Sequence, residues 1–164
     1  MSAKRAGRDA GLTREVAGQL VAAMRELHDN IAEHAQAPHT GTVAFRAESG
    51  AFEFVVSDRG VGVLSSLCTC TEYAGLRDEG TALQAALRDG VSRHGSNVRR
   101  GYGFRPIFVG LVNLYGELRF RSGDHAVTMD GTGPGIATSR ISQKVHMEGF
   151  FASVRCSVEG RGDA

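Results

Sequence analysis

Two polar side chains, Glu26 and Asn30, stand four residues apart in a segment whose apolar residues recur at helical spacing. Side chains four apart lie above one another on a helix, so the two groups share a surface beside the apolar stripe. An amide oxygen is a hard ligand suited to Mg²⁺, and a carboxylate can accept a proton from water. The pair therefore fits a site for a metal ion and a water, although an exposed Glu and an Asn that merely flank a core face have the same spacing. His34, one turn further on, fits a residue at the core boundary better than a ligand.

A second candidate is the sequence Asp-Arg-Gly-Val-Gly at 58–62, which directly follows an apolar stretch typical of a strand. The ionised carboxylate of Asp58 can accept a hydrogen bond from an exocyclic amino group such as that of adenine. Gly60 and Gly62 allow the backbone to approach a flat base or a ribose closely. The same five residues also fit an Asx turn after a strand, in which the glycines supply positive φ.

A third candidate is the pair Gly101 and Gly103, which precedes a predicted helix and follows Arg99 and Arg100. Free backbone N–H groups and the positive end of a helix together bind phosphate. A flexible lead into a packed helix would carry the same glycines. A dinucleotide-binding glycine motif is disfavoured, because no strand precedes the pair and Pro106 stands in place of the third glycine.

The composition is that of an ordinary globular protein and restricts the possible classes. The chain has 164 residues, is 41% hydrophobic and 23% charged, and carries a formal net charge of +1, so one compact domain is expected. The near-neutral charge gives no reason to expect a nucleic-acid partner. No apolar run approaches the roughly 20 residues that span a bilayer, and no secretory core follows the basic start. We therefore expect a cytoplasmic protein with no membrane attachment.

The three cysteines, Cys68, Cys70 and Cys156, do not form a disulfide framework. A zinc site needs about four ligands, and the C-x-C pair has no second pair at ligand spacing. We expect these cysteines to be reduced and structural.

The elements that position the candidate residues follow from hydrophobic periodicity and turn residues. An amphipathic helix is predicted from Thr13, as N-cap, to about Ala37, with Pro38 beyond its end. Its apolar stripe consists of Val16, Leu20, Met24, Leu27 and Ile31. Strands are predicted at 42–47 and 51–56, joined by a hairpin turn.

Further elements are predicted after residue 64. They are helices at about 78–90 and 105–115, strands at 117–122, 125–129 and 148–157, the last irregular at Gly149, and a polar loop at 131–144. Helices and mostly antiparallel strands in this order predict an α+β fold, a two-layer α/β sandwich. A single domain is expected over 13–158, with flexible ends at 1–12 and 159–164.

In this order the three candidates resemble the GHKL ATP-binding domain, the histidine kinase-like family shared by sensor histidine kinases, anti-sigma serine kinases, type II topoisomerase ATPase subunits, mismatch-repair ATPases and heat-shock chaperones. Residues 26–34 are similar to the family's N box, 58–62 to its G1 box and 101–104 to its G2 box. Residues 64–100 would be a mobile ATP lid. The resemblance covers roughly residues 16–129 and implies the histidine kinase-like fold, a mixed and mostly antiparallel sheet with helices on one face.

The resemblance implies ATP and Mg²⁺ as ligands. Asn30 would coordinate Mg²⁺, and Glu26 would activate water or a hydroxyl as the catalytic residue. Asp58 would bind the adenine amino group, while Gly60 and Gly62 would shape the base pocket.

The phosphate side of the site is implied in the same way. Gly101 and Gly103, with Phe104 in the same box, would contact the phosphates as the lid closes, and His34 stands where many members have a basic residue near them. The G2 box departs from the family pattern, which keeps a further small residue after Gly-x-Gly-Leu. Arg105, next to a proline, would either replace lost backbone contacts by its charge or obstruct tight closure of the lid, which affects hydrolysis more than binding.

Three functional outcomes remain open from the sequence. The short chain favours a protein serine/threonine kinase of the anti-sigma type that acts on a partner protein. Glu26 favours an ATPase whose bound state drives a conformational change or dimerisation. The altered G2 box permits a nucleotide-gated interaction module with little turnover. A full sensor histidine kinase is disfavoured because the chain has no room for a separate dimerising hairpin. A protein partner is expected, and a homodimer is compatible with the family.

Overall fold

A computed structural model describes residues 2–87, 116–129 and 139–157. Within these ranges the protein has an α+β architecture built on a four-stranded antiparallel sheet of order β1-β2-β4-β3. The strands are β1 (Thr42–Glu48), β2 (Ala51–Asp58), β3 (Glu117–Met129) and β4 (Arg140–Ser157). The helices are α1 (Ala3–Asp9), α2 (Arg14–His34), α3 (Gly62–Leu67) and α4 (Glu79–Ala86), with short 3-10 turns at Pro38–Thr40 and Thr71–Tyr73.

One face of the sheet carries the hydrophobic core. Alternate residues of β2, namely Phe52, Phe54 and Val56, are almost fully buried, as the twofold period of a half-covered strand requires. They join one cluster with α1, α2, α4 and the matching residues of β3 and β4. The sheet with helices on one face is compatible with the expected two-layer sandwich.

The helix α2 confirms the most strongly patterned prediction. The Thr13 side chain caps it by accepting a hydrogen bond from the backbone N–H of Val16 at 3.2 Å. Leu20, Leu27 and Ile31 of the predicted stripe are buried against the sheet. This packing fixes the orientation of the whole helix, and with it the face that carries Glu26 and Asn30.

The N-terminal segment is helical and packed, so the prediction of a flexible stretch over 1–12 is wrong for its described part. Ser2 caps α1, and Ala6 and Leu12 belong to the core. The hairpin turn between β1 and β2 is tied to this segment, because the backbone N–H of Gly50 donates to the carbonyl of Ala10 at 2.9 Å. The contact faces of α1 are alanine and glycine, which give no large apolar periodicity for sequence reasoning to detect.

The strand β4 is longer than predicted, and the polar loop assigned to 131–144 is wrong for residues 140–144. Residues 140–143 pair with β3 in a mostly exposed stretch whose polar side chains hide the strand pattern. The predicted irregularity at Gly149 is confirmed by its φ of 74°. The two strands predicted at 117–122 and 125–129 are one strand, with register shifts around Gly123.

Residues 64–87 of the predicted lid contain two helices, and α4 confirms the helix predicted at about 78–90 over its described part. Here α3 and α4 form ordered structure, and Leu83 and Leu87 lie in the main core. Asp78 caps α4 by accepting a hydrogen bond from the backbone N–H of Thr81 at 2.6 Å. The remainder of the predicted lid, at 88–100, and the helix predicted at 105–115 lie outside the described residues.

The three cysteines are free, as predicted. Cys156 is buried in the core, and burial raises the pKa of its thiol to about 12, as expected of an inert structural residue. Within the described ranges, no helix is both long enough and apolar enough to cross a bilayer.

The packing of the N-terminal segment predicts that Leu12→Ala destabilises the protein by about 2–4 kcal/mol, because a buried leucine leaves a cavity when truncated. Urea unfolding monitored by circular dichroism measures this change. Lys4→Ala, at an exposed position of α1, is the control and is expected to stay within about 0.5 kcal/mol of wild type. An unchanged unfolding midpoint for Leu12→Ala would show that residues 1–12 are dispensable for the core.

Candidate functional site

Asp58 is a buried carboxylate at the last position of β2, paired across the sheet with Phe150 of β4. Its Oδ1 accepts a hydrogen bond from the backbone N–H of Gly60 at 2.6 Å. Among the described residues, no donor reaches the second oxygen, Oδ2. Burial raises the pKa of the Asp58 carboxyl, and the hydrogen bond from Gly60 partly opposes this rise. The side chain is therefore held in one orientation with acceptor capacity left over.

Gly60 lies directly against the C-terminal end of α2. A Cβ at this position would overlap the backbone of Ala35, including its carbonyl oxygen. The same carbonyl accepts a hydrogen bond from the N–H of Val61 at 3.0 Å. The φ of Gly60 is outside the left-handed region, so close approach of two backbones is the reason for glycine here. This contact joins the Asp58 turn to the helix that carries Glu26 and Asn30.

The glycine that begins α3, Gly62, has a φ of 75° and would bring a Cβ within 2.7 Å of the Ser122 hydroxyl. The Ser122 hydroxyl is fully buried and bridges two segments. It accepts a hydrogen bond from the N–H of Val63 at 2.9 Å and donates one to the carbonyl of Gly149 at 3.0 Å. Both predicted glycines thus serve tight backbone contacts, and the turn is fastened to β3 and β4 as well as to α2.

Thr40 fastens the turn from a fourth side. Its hydroxyl accepts a hydrogen bond from the N–H of Arg59 at 3.0 Å and donates to the carbonyl of Ala37 at 2.8 Å. Sequence reasoning missed Thr40, Ser122 and Gly149 as parts of the site. The sequence indicates Gly149 only as an irregularity in a strand. Thr40 and Ser122 lie far from the turn in sequence, and no motif links them to it.

Glu26, Asn30 and His34 lie on α2 at different distances from the turn. His34 is half-buried next to Ala35, and its Nε2 lies 3.9 Å from a carboxylate oxygen of Glu33. Asn30 is half-buried and lies about 7.5 Å back from Ala35 along the helix axis, and the exposed Glu26 lies about 14 Å back from Ala35. The structure therefore brings the C-terminal end of α2 to the Asp58 turn, with Asn30 and Glu26 further back along the helix.

The remaining predicted site residues, Gly101, Gly103, Phe104 and Arg105, lie outside the described residues. The described site consists of the turn at 58–62, the face of α2 and the side chains that hold the two together. No set of three or more His, Cys, Asp or Glu residues within the described ranges is arranged to hold a metal ion.

A second polar cluster lies at the contact of α4 with β3 rather than at the Asp58 turn. The Glu79 carboxyl packs against Gly123, where a Cβ would overlap it, and its Oε2 is buried without a partner in the described structure. Burial, and then the nearby charge of Asp124, raise the pKa of Glu79. Asp124 itself contacts His125 at 2.7 Å and accepts a hydrogen bond from Gln143 at 3.2 Å. The packing of Glu79 on Gly123 joins α4 to the sheet, whereas the contacts of Asp124 lie within β3 and between β3 and β4.

A scan of the chain against protein-family models finds no match, and a search among curated proteins finds none. The site is therefore interpreted from its own geometry.

The space around two glycines predicts opposite effects when each is changed to alanine. Gly60→Ala is expected to destabilise the protein by about 1–3 kcal/mol or more, because backbone atoms must move. Gly18→Ala, inside α2 with nothing within 4 Å of the added methyl, is the matched control. It should stabilise the protein by about 0.5–1 kcal/mol. Urea unfolding measures both, and a Gly60→Ala protein as stable as wild type would refute the close contact.

Proposed function

We propose that this protein binds Mg-ATP, with the base at the Asp58 turn and the phosphates along the Asn30 and Glu26 face of α2. The observation that supports this most strongly is the placement of Asp58. A buried carboxylate at a strand end has one oxygen held by Gly60 and the other without a donor among the described residues. A carboxylate oxygen left without a donor can accept a hydrogen bond from a ligand that supplies an N–H group.

The adenine amino group is the donor that fits this acceptor. A ring ligand also needs backbone that approaches without side chains, and Gly60 and Gly62 provide it. The turn is fixed by α2, β3, β4 and Thr40, so little conformational freedom is lost when the base binds. These features support a preformed base pocket, and the resemblance to the GHKL family specifies adenine.

The amide oxygen of Asn30 suits Mg²⁺ as a ligand. When bound, the ion would neutralise part of the phosphate charge. Mg²⁺ in nucleotide sites keeps several waters and takes few protein ligands besides the phosphates. Gly101, Gly103, Phe104, Arg105 and His34 are proposed to complete the phosphate side.

Glu26 is the proposed base for water or for a substrate hydroxyl. It is exposed and makes no hydrogen bond or ion pair with any described residue, so it is open to solvent. Because no described residue orients this carboxylate, its position also favours the alternative function, a nucleotide-gated interaction module with little or no turnover. In either case the proposal includes a protein partner, which is the phospho-acceptor of a kinase or the target of a gated module.

Asp58→Asn is expected to weaken ATP binding by about ten- to a hundredfold, because it replaces a charge-assisted hydrogen bond to the base. Asparagine keeps the shape and retains an oxygen for the Gly60 N–H. Isothermal titration with Mg-ATP measures the change. Asp9→Asn, at an exposed aspartate paired only with Arg5 at 3.8 Å, is the matched control and should bind as wild type does. Equal affinity of wild type and Asp58→Asn would refute the pocket.

Glu26→Ala is expected to leave ATP affinity within about twofold of wild type and to lower turnover by about 10²–10⁴-fold, because a general base is removed. Phosphate release and titration calorimetry measure the two quantities separately. Glu15→Ala, an exposed carboxylate in the first turn of the same helix, is the control. Turnover undiminished in Glu26→Ala would remove this residue as the base.

The three functional outcomes are separated by incubating the protein with ATP labelled on the γ-phosphate in a cell extract. Label on a partner protein identifies a kinase. Label that appears only as free phosphate, and that is lost in Glu26→Ala, identifies an ATPase. Binding without either product identifies the gated module.

A further inference from the structure

Among the described strands, β1 lies at an edge of the sheet and is unusually open. Its seven residues are exposed on both faces, except for the half-buried Ala47. Val43 and Phe45 are 38% and 40% exposed, although both lie on the face that bears the helices further into the sheet. Phe45 stacks on Phe52 at 5.9 Å, so its ring is held in place with one side uncovered. An ordered edge with exposed apolar side chains is a template for pairing with another strand.

The other edge strand, β3, carries the features that normally prevent such pairing. It has an exposed arginine at Arg119, and its register with β4 shifts on both sides of Gly123. In β1 the register with β2 is unbroken, and no proline interrupts the strand. Its one cation, Arg46, is neutralised by Glu48 at 3.2 Å and Glu53 at 2.9 Å. Protection is thus present at one edge and lacking at the other.

We propose that β1 pairs with β1 of a second copy of this chain, antiparallel and about a twofold axis at Phe45. The strand is complementary to itself in this register. Phe45 faces the partner's Phe45, and Val43 faces the partner's Ala47, so apolar groups meet on one face. On the other face Ala44 meets the partner's Arg46, and Thr42 meets the partner's Glu48. The result is a continuous eight-stranded sheet with the helices of both copies on the same side.

Neighbouring registers fit less well. Apolar residues stay opposite apolar residues only if one strand slides along the other by two residues. A slip of one residue would set apolar side chains opposite polar ones. One of the two-residue shifts places Arg46 directly opposite the partner's Arg46, which is unfavourable. Both shifts also shorten the paired segment from seven residues to five. The register centred on Phe45 pairs all seven residues of β1 with no like charges opposed.

This pairing would place the partner's hairpin next to the candidate site. Thr42, at the start of β1, lies opposite Ser57 and two residues after Thr40, whose hydroxyl holds the Asp58 turn. The partner's Glu48 would meet Thr42 at that end. The interface therefore begins beside the turn without using any residue that we assign to nucleotide binding.

The test compares the oligomeric state of the full chain with two matched variants, by analytical ultracentrifugation over a range of concentrations. Wild type is expected to be a concentration-dependent dimer. Val43→Lys should weaken the dimer by about tenfold or more, because two valine contacts are lost. Val145→Lys makes the same change at a valine that is 87% exposed elsewhere, and should not alter the dimer. A monomer at every concentration, or a dimer that Val43→Lys leaves intact, would overturn the proposal.

A charge pair tests the register independently of Val43. Ala44→Glu would face the partner's Arg46 twice in each dimer and should tighten association by about three- to tenfold, whereas Ala44→Lys should weaken it by a similar factor. Circular dichroism of both variants checks that they are folded. Effects of the same sign for the two substitutions would rule out the register centred on Phe45.

Discussion

The arrangement of the site depends on the absence of a side chain at Gly60, which allows the turn after β2 to lie directly on the end of α2. The Ala35 carbonyl, which has no partner further along the helix, accepts the Val61 N–H at this contact. A strand end and a helix end are thereby joined through backbone alone. The orientation of Asp58, and its distance from the polar face of α2, follow from that junction rather than from contacts between their side chains.

Several hydrogen bonds around this junction hold a single turn in place. Ser122, Thr40 and Gly60 together fix both its ends. Meanwhile burial raises the pKa of Asp58 above its ordinary value of 3.8, so the folded protein resists ionisation of this group. For a carboxyl with a raised pKa, this cost to folding grows as the pH rises through the interval between the unfolded and folded values, and persists above it. A ligand that donates a hydrogen bond to the carboxylate would offset that cost. This cost supports the proposal that the rigid turn is a binding site.

Much of this arrangement could be predicted from the sequence where the pattern was local. The stripe of α2, the hairpin of β1 and β2 and the position of Asp58 at a strand end follow from periods of 3.6 and 2 and from turn residues. The packing of α1 could not be predicted, because small residues bury well without forming an apolar stripe. The Ser122 bridge could not be predicted either, since it joins residues 59 positions apart through one hydroxyl. The exposed part of β4 was hidden by its polar side chains. Long-range polar contacts and small-residue packing thus lie beyond single-sequence patterns.

The central claim is that the Asp58 carboxylate accepts a hydrogen bond from the amino group of a bound adenine. It is tested most directly from the ligand side, by measuring the affinities of wild type and Asp58→Asn for Mg-ATP and for the purine triphosphate that lacks the amino group. The two changes remove the same contact, so their effects should not add. We predict that wild type binds ATP about tenfold or more tightly than the analogue that lacks the amino group, and that Asp58→Asn discriminates between them by less than about threefold. Equal discrimination by both proteins would contradict the account.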